Sequence, residues 1–211
     1  HQPHDEGGLT VANNYELSAA RAAEIFLRYD PAAMAAKFGL PRDADHIYLT
    51  FVSAPYRVSC KTGLVERLDG ARPAPAGFNE SLTIYDVLCD SKPDCRLSGR
   101  YCRINNVPGV AQTAGLGERL FDRYAEYFDR DPAALTRACE HLGGTPLPGA
   151  DVGYTLPLFP FLPVQLRFWH GDDEFPPSLQ LLWDENILRF MRYETTYYAA
   201  NHLFARLTGE A

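Results

Sequence analysis

Three consecutive carboxylates are the part of this sequence with the most evident chemistry: Asp172, Asp173 and Glu174. Carboxylates this close repel one another unless water, an arginine or a hard cation neutralises them. Asp184, on the following predicted strand, could complete a set of oxygen ligands. The sequence therefore predicts a candidate metal site formed by Asp172, Asp173, Glu174 and Asp184. The alternative is a solvated hairpin connection, in which Phe175 and the two prolines after it pack against the core.

Two tryptophans flank this acidic run and suggest a ligand site of a different kind. Ligand pockets are mostly apolar and aromatic, with a few polar groups that orient the ligand. The residues predicted to bind a ligand are Trp169, Asp172, Asp173, Glu174 and Trp183. The leading hypothesis is a cytoplasmic protein that binds a small molecule or cofactor in an accessory role. A metal-dependent enzyme that uses residues 172–174 and a protein-interaction module with an exposed aromatic patch are the alternatives.

Three of the five cysteines fall in one short segment: Cys89, Cys95 and Cys102. Their spacing does not match paired zinc motifs or a compact disulfide framework. Basic residues such as Lys92 and Arg96 lie between them and could lower a thiol pKa. The alternative is that the cysteines are small buried apolar residues. An odd number of cysteines without a secretory signal favours reduced thiols and a cytoplasmic location.

The histidines show no local catalytic motif. His141 falls in the last turn of a predicted helix, where a cation is favoured by the helix dipole. His202 flanks the apolar stripe of the C-terminal helix and is predicted to be a hydrogen-bonded histidine at its edge. Catalytic triads assemble in space, so a Ser/His/Asp or Cys/His site stays open, but no nucleophile elbow supports one.

Composition limits the classes of protein to which the chain can belong. Its 211 residues are 46% hydrophobic and 22% charged, which suits a folded domain with a sizeable core. The net charge of −7 argues against a nucleic-acid partner, since phosphate would be repelled. The longest apolar region, 156–166, is interrupted by three prolines, so no membrane span is predicted. Residues 1–12 are expected to be a disordered leader or tag remnant, and residues 13–211 a single domain.

Hydrophobic periodicity predicts helices and strands in separate groups. Apolar residues at helical spacing mark helices at 13–29, after Asp30-Pro31, after Asn79, from about Leu116 to Phe128, after Asp131-Pro132, and from Tyr193 onward. Asp30, Asn79 and Asp131 are the predicted N-cap residues. Alternating patterns mark a three-stranded meander over 47–68 and a hairpin of 164–168 with 179–183. Residues 72–77 are predicted to be a loop. The expected fold class is α+β, with antiparallel sheets packed against several helices in a single domain.

Several stretches resemble a known family. They are Asn14–Leu17, Phe78–Cys89, Leu97–Gly99, Tyr124–Phe128, Leu142–Gly144, Trp169–Pro177, Leu182–Asn186 and Tyr193–Thr196. Together they resemble the domain of unknown function 3786 family of anaerobic bacteria and archaea, in which the tryptophan–acidic–diproline motif is specific. The resemblance implies no established activity and leaves the cofactor unknown. Some relatives are joined to an iron–sulfur domain, which implies a setting in anaerobic redox or corrinoid-related metabolism.

Overall fold

The computed structural model describes residues 6–111 and 121–211, which form helices and two antiparallel sheets. The described helices are α1 (Glu6–Phe26), α2 (Pro31–Phe38), α3 (Phe78–Asp90), α4 (Asp122–Arg130), α5 (Pro132–His141), α6 (Ile187–Phe190) and α7 (Tyr193–Thr208). The described strands are β1 (His46–Phe51), β2 (Ala54–Ser59), β3 (Val65–Arg67), β4 (Ala74–Pro75), β5 (Tyr101–Arg103), β6 (Thr145–Pro146), β7 (Val152–Phe159), β8 (Leu162–Trp169) and β9 (Ser178–Asp184). The predicted α+β class is confirmed.

The first sheet has the strand order β1-β2-β3-β4, with each strand antiparallel to its neighbours. Side chains that alternate along β1 and β2, such as Leu49, Phe51, Tyr56 and Val58, are buried. The predicted meander is therefore correct but incomplete. The fourth strand is only Ala74–Pro75, within the segment predicted to be a loop. A proline is tolerated there because an edge strand needs fewer backbone donors.

The second sheet has the order β5-β9-β8-β7-β6 and carries the candidate site. The predicted hairpin of β8 and β9 is confirmed. Strand β7 was not predicted, because prolines interrupt its apolar sequence. Pro157 and Pro163 lie directly opposite each other, beside a register shift between Pro157 and Phe159. The ladder is already irregular at this point, so the missing proline N–H groups have little effect on it.

One apolar core includes residues from both sheets and from the helices. Helix α3 packs against α7, while α4 and α5 pack against β9 and β7 of the second sheet. The sheets meet at the turn between β1 and β2, where the N–H of Val52 donates to the carbonyl of Leu158 at 2.8 Å. Val52 and Ser53 both have positive φ, 44° and 58°. The Arg206 guanidinium donates to the Val52 carbonyl at 2.6 Å, and the Ser53 hydroxyl to the Leu142 carbonyl at 2.6 Å. Tertiary contacts thus hold a turn that valine disfavours by itself.

Helix starts follow the predicted capping residues in two cases out of three. Asp30 accepts the N–H of Ala32, and Asp131 accepts the N–H of Ala134. The prediction that Asn79 caps α3 is wrong. Gly77 occupies the N-cap position, and Glu80 accepts its N–H at 2.9 Å.

Two predicted helix boundaries differ from the structure. Helix α1 covers Glu6–Phe26 rather than residues 13–29, and the division of the chain at residue 12 stays a prediction. Helix α4 begins at Asp122, and the earlier part of the helix predicted from Leu116 lies outside the described residues. No helix in the described part of the chain combines the length and hydropathy that crossing a membrane requires.

Candidate functional site: the Trp169 groove

A groove with a volume of about 610 Å³ runs along β9 beside the acidic hairpin. Its volume lies within the range of roughly 300–1,000 Å³ that is usual for small-molecule sites. We call it the Trp169 groove, and its lining residues are Arg103, Ile104, Phe121, Asp122, Trp169, His170, Asp172, Phe175, Pro176, Pro177, Ser178, Leu179, Gln180 and Leu181. The groove thus combines aromatic rings with charged side chains from three different parts of the chain.

Asp172 holds the tip of the hairpin in a tight turn. Its Oδ1 accepts the backbone N–H groups of Glu174 at 2.8 Å and Phe175 at 2.7 Å. The N–H of Asp172 donates to the carbonyl of Phe175 at 2.8 Å. The N–H groups of Phe175 and Glu174 hold the pKa of the Asp172 carboxyl below its usual range, so the carboxylate is charged at neutral pH. Backbone donors therefore stabilise the Asp172 charge, for which the sequence had suggested water, an arginine or a hard cation.

Two other carboxylates fix the base of the hairpin to the body of the protein. The N–H of His170 donates to Asp151 at 2.8 Å, and the N–H of Gly171 donates to Asp129 at 3.1 Å. The His170 ring also lies beside Asp129, with Nδ1 and Oδ1 3.5 Å apart. A Cβ on Gly171 would meet Pro177 Cδ at 2.8 Å, so this position requires glycine. The hairpin is therefore a positioned element, although nothing near Asp129 or Asp151 in sequence indicated their role.

Three aromatic rings contribute to the groove. Phe175 is 67% exposed, so the expectation that it packs against the core is wrong. Trp169 is half-buried at the end of β8, and Phe121 precedes α4. The Phe121 ring lies 4.9 Å, between centroids, from the buried ring of Phe204 on α7. The groove therefore has one wall that the core supports and one large apolar ring exposed to solvent.

The structure brings together only two of the predicted ligand-binding residues, Trp169 and Asp172. Asp173 and Glu174 are exposed at the hairpin tip and do not line the groove. Trp183 is 2% exposed and belongs to the core. It lies at the far end of β9, on the order of 15 Å from Ser178, since a strand advances about 3.3 Å per residue.

Asp184 is also at that far end, and it organises a loop rather than meeting the acidic hairpin. Its side chain is fully buried. Its carboxylate accepts the N–H groups of Ser98, Gly99 and Asn186 at 2.8–3.1 Å, and the Ser98 hydroxyl at 3.0 Å. The four predicted metal ligands are therefore not brought together. In residues 6–111 and 121–211, no group of three or more His, Cys, Asp or Glu side chains could hold a metal ion.

The cysteines are all free, and burial controls their chemistry. Burial raises the pKa of Cys89 and of Cys139 to about 12. It also raises the pKa of Cys95 and Cys102 above the ordinary value for a thiol. The predicted lowering of a thiol pKa by basic neighbours is therefore not found: desolvation outweighs the nearby cations at Cys89 and Cys95, and only acidic neighbours act on Cys102.

A buried polar cluster that no sequence pattern indicated is formed by Tyr56, Glu80 and His202. The Tyr56 hydroxyl donates to Glu80 Oε2 and lies 3.4 Å from His202 Nε2. His202 is 3% exposed and stacks on Phe51, so it is a core residue rather than an edge residue. Burial lowers the pKa of His202 to about 4. These residues are far apart in sequence, and the only local signal was a polar residue beside an apolar stripe.

A second carboxylate pair lies where α3 meets the start of α7. Asp86 is buried and accepts the backbone N–H of Arg192 at 2.8 Å and its Nε–H at 2.9 Å. The hydrogen bond to Asp86 and partial burial raise the pKa of Asp90 to about 6. Asp86 on α3 thus accepts two hydrogen bonds from Arg192, the residue before α7, and anchors the start of that helix.

Comparison with known proteins gives a family but no characterised relative. No curated protein and no solved structure matches the chain. The family model described as "Domain of unknown function (DUF3786)" matches residues 30–206. This range includes both sheets, the acidic hairpin and the Trp169 groove. The chain therefore belongs to the DUF3786 family.

Proposed function

We propose that this protein binds a small organic ligand in the Trp169 groove and serves as a binding or accessory protein. One observation carries the proposal: aromatic rings and carboxylates line the same groove of about 610 Å³. The rings are those of Phe121, Trp169 and Phe175, and the carboxylates are those of Asp122 and Asp172. Aromatic walls with a few charged groups are typical of ligand sites. The family resemblance would place this ligand in anaerobic redox or corrinoid-related metabolism, and the free thiols favour a reducing, cytoplasmic compartment.

Phe175 supports the proposal on energetic grounds. A phenylalanine ring gains on the order of 1.5–3 kcal/mol when it is fully buried. Here the hydrogen bonds of the Asp172 turn hold the residue 67% exposed, at the edge of a groove. A ligand that covered the ring would recover part of that energy. The fixed hairpin would lose little conformational entropy on binding, because Asp129 and Asp151 already anchor it.

The groove also indicates the charge and shape of the ligand. Asp122 and Asp172 place two negative charges in a described lining whose one arginine is Arg103, so negative charge is in excess beside Trp169 and Phe175. A cationic group is attracted both by the carboxylates and by the face of an aromatic ring. The ligand that fits best therefore carries a cationic group next to an apolar or planar part.

Native mass spectrometry of protein purified without oxygen tests the proposal. We expect a ligand to be retained by the wild type and lost from Trp169→Ala and from Phe175→Ala. Tyr127→Ala is the matched control, because this exposed aromatic residue lies on α4 but does not line the groove. Equal ligand retention by all four proteins would refute the assignment to the Trp169 groove, and absence of any ligand from the wild type would count against binding itself.

A further inference from the structure

The hydrogen-bond pattern of β9 determines which of its backbone groups point into the Trp169 groove. The N–H of Glu185 donates to the carbonyl of Arg100 at 2.9 Å, in register with the pairing of β5 and β9. Glu185 therefore points its backbone groups toward β5. Backbone groups alternate in direction along a strand. Going back along β9, Leu181 and Leu179 consequently point their N–H and C=O groups to the same side.

No described strand pairs with β9 at these two residues. Strand β5 ends at Arg103, opposite Leu182, and the chain then turns into a short 3-10 segment at Ile104–Asn106. Over the whole residue, Leu179 is 9% exposed and Leu181 is 3% exposed, yet both line the groove. Their side chains belong to the apolar core, so the narrow surface that reaches the groove is backbone. The groove has a strand edge as its floor, with two donors and two acceptors at the spacing of a β-ladder.

A strand edge without a paired neighbour can accept another extended chain. The walls here favour a chain of particular composition. Trp169 and Phe175 offer apolar contact, and the two carboxylates of Asp122 and Asp172 outnumber the one guanidinium of the described lining, Arg103. An added strand would direct alternate side chains toward these walls. Charge complementarity therefore favours an extended segment in which a lysine or arginine is flanked by apolar residues.

We propose that the ligand of the Trp169 groove is a short, extended, basic peptide that adds as a strand to the edge of β9 at Leu179 and Leu181. This inference rests on the proposed function and names the chemical class of its ligand. The backbone of the peptide pairs with β9, and its basic side chain lies against Asp122 and Asp172.

Selection from a phage-displayed library of random decapeptides tests the charge preference. The full chain, the Asp122→Asn/Asp172→Asn double variant and Glu126→Gln are compared. Asparagine at 172 retains a carbonyl oxygen for the turn, and Glu126 is an exposed carboxylate of α4 outside the groove. We expect the selected peptides to contain lysine or arginine and to bind wild type and Glu126→Gln equally. Binding to the double variant should be about tenfold weaker. Enrichment of no peptide, or equal binding to all three proteins, would overturn the proposal.

Amide hydrogen exchange measured by NMR tests the strand pairing. A bound peptide should slow exchange at the N–H groups of Leu179 and Leu181. N-methylation of the alternate peptide amides that face β9 should weaken binding about tenfold, and methylation of the other set should have little effect. Equal effects of the two sets would contradict strand addition. Protection of both amides in the protein alone would overturn the proposal, because the edge would then already be covered.

These outcomes separate the inference from the proposed function. A small molecule that is retained by the wild type but lost from Trp169→Ala, with both leucine amides unprotected, would refute the peptide and leave the groove as the ligand site. A protein that retains no molecule and selects no peptide would refute both.

Discussion

Replacing His202 with glutamine should remove an acid-dependent loss of stability. The imidazole lies in the core, 3.4 Å from the Tyr56 hydroxyl and 4.0 Å from Glu80 Oε2. Desolvation is the main cause that lowers its pKa to about 4, and Arg206 and Arg67 lower it further, while Glu80 opposes them. Folding therefore favours the neutral imidazole. Glutamine is polar and cannot gain a proton in this range, so it isolates the ionisation.

The sign and size of the effect follow from proton linkage. Above pH 6.5, the histidine is mostly neutral in both folded and unfolded chains, and its ionisation does not affect stability. Between pH 6.5 and about 4, the unfolded chain binds a proton that the folded protein does not. The free energy of unfolding of the wild type should consequently fall as pH decreases, by about 3 kcal/mol in total for a shift of this size.

Urea unfolding at several pH values between 7.5 and 4 measures this effect. His202→Gln should be less stable than the wild type at pH 7.5, and that difference should shrink by about 3 kcal/mol on going to pH 4. The raised pKa of Asp90, to about 6, works in the opposite direction but is common to both proteins. His141→Gln is the control, because it likewise replaces a histidine by glutamine, at an exposed position at the end of α5, and leaves the core unchanged. Parallel curves for His202→Gln and the wild type would refute the reasoning.

Three further predictions concern the core, the buried carboxylate and the acidic hairpin. Phe204→Ala should lower the free energy of unfolding by roughly 3–5 kcal/mol, because Phe204 is fully buried and stacks on Tyr124 at 4.6 Å; a loss below about 1 kcal/mol in urea unfolding would contradict this. Asp184→Ala should cost roughly 3 kcal/mol, since it leaves backbone N–H groups without their acceptor; a melting temperature equal to that of the wild type would be the contrary result. Asp172→Asn with Asp173→Asn should leave the melting temperature level, because relief of the repulsion between the two carboxylates offsets the weaker hydrogen bonds that an amide oxygen accepts in the turn. The melting temperature of each protein should be the same with Ca²⁺, Mg²⁺, Mn²⁺ or chelator. A melting temperature that a cation raises only in the wild type would support the metal hypothesis.

Local patterns in the sequence were sufficient for much of the secondary structure. Asp30 and Asp131 identified helix starts, because an N-cap acceptor followed by proline has few other uses. The alternation along β8 and β9 identified that hairpin and its buried face. Apolar spacing likewise identified α7, whose Phe204 is buried as predicted. These features depend on neighbours within a few residues, which is the range that periodicity reports.

Elements held by distant residues could not be predicted in this way. The turn at Val52 and Ser53 contains no glycine or asparagine, and it exists because Leu158 and Arg206 bind the backbone of Val52. Strand β7 was hidden by prolines that the opposite strand accommodates. In each case the sequence preference is weak or adverse, and contacts from another part of the chain outweigh it.

The candidate site was likewise only partly predictable from the sequence. The sequence by itself determined the fold class and the acidic turn beside Trp169, because both follow from local residue order. Only the tertiary structure placed Phe121 and Asp122 across from Trp169 and directed Phe175 outward. It also separated Asp184 from the hairpin by the length of β9. The physical reason is that packing of helices and sheets decides which side chains meet, whereas spacing along the chain decides only which face of an element they occupy.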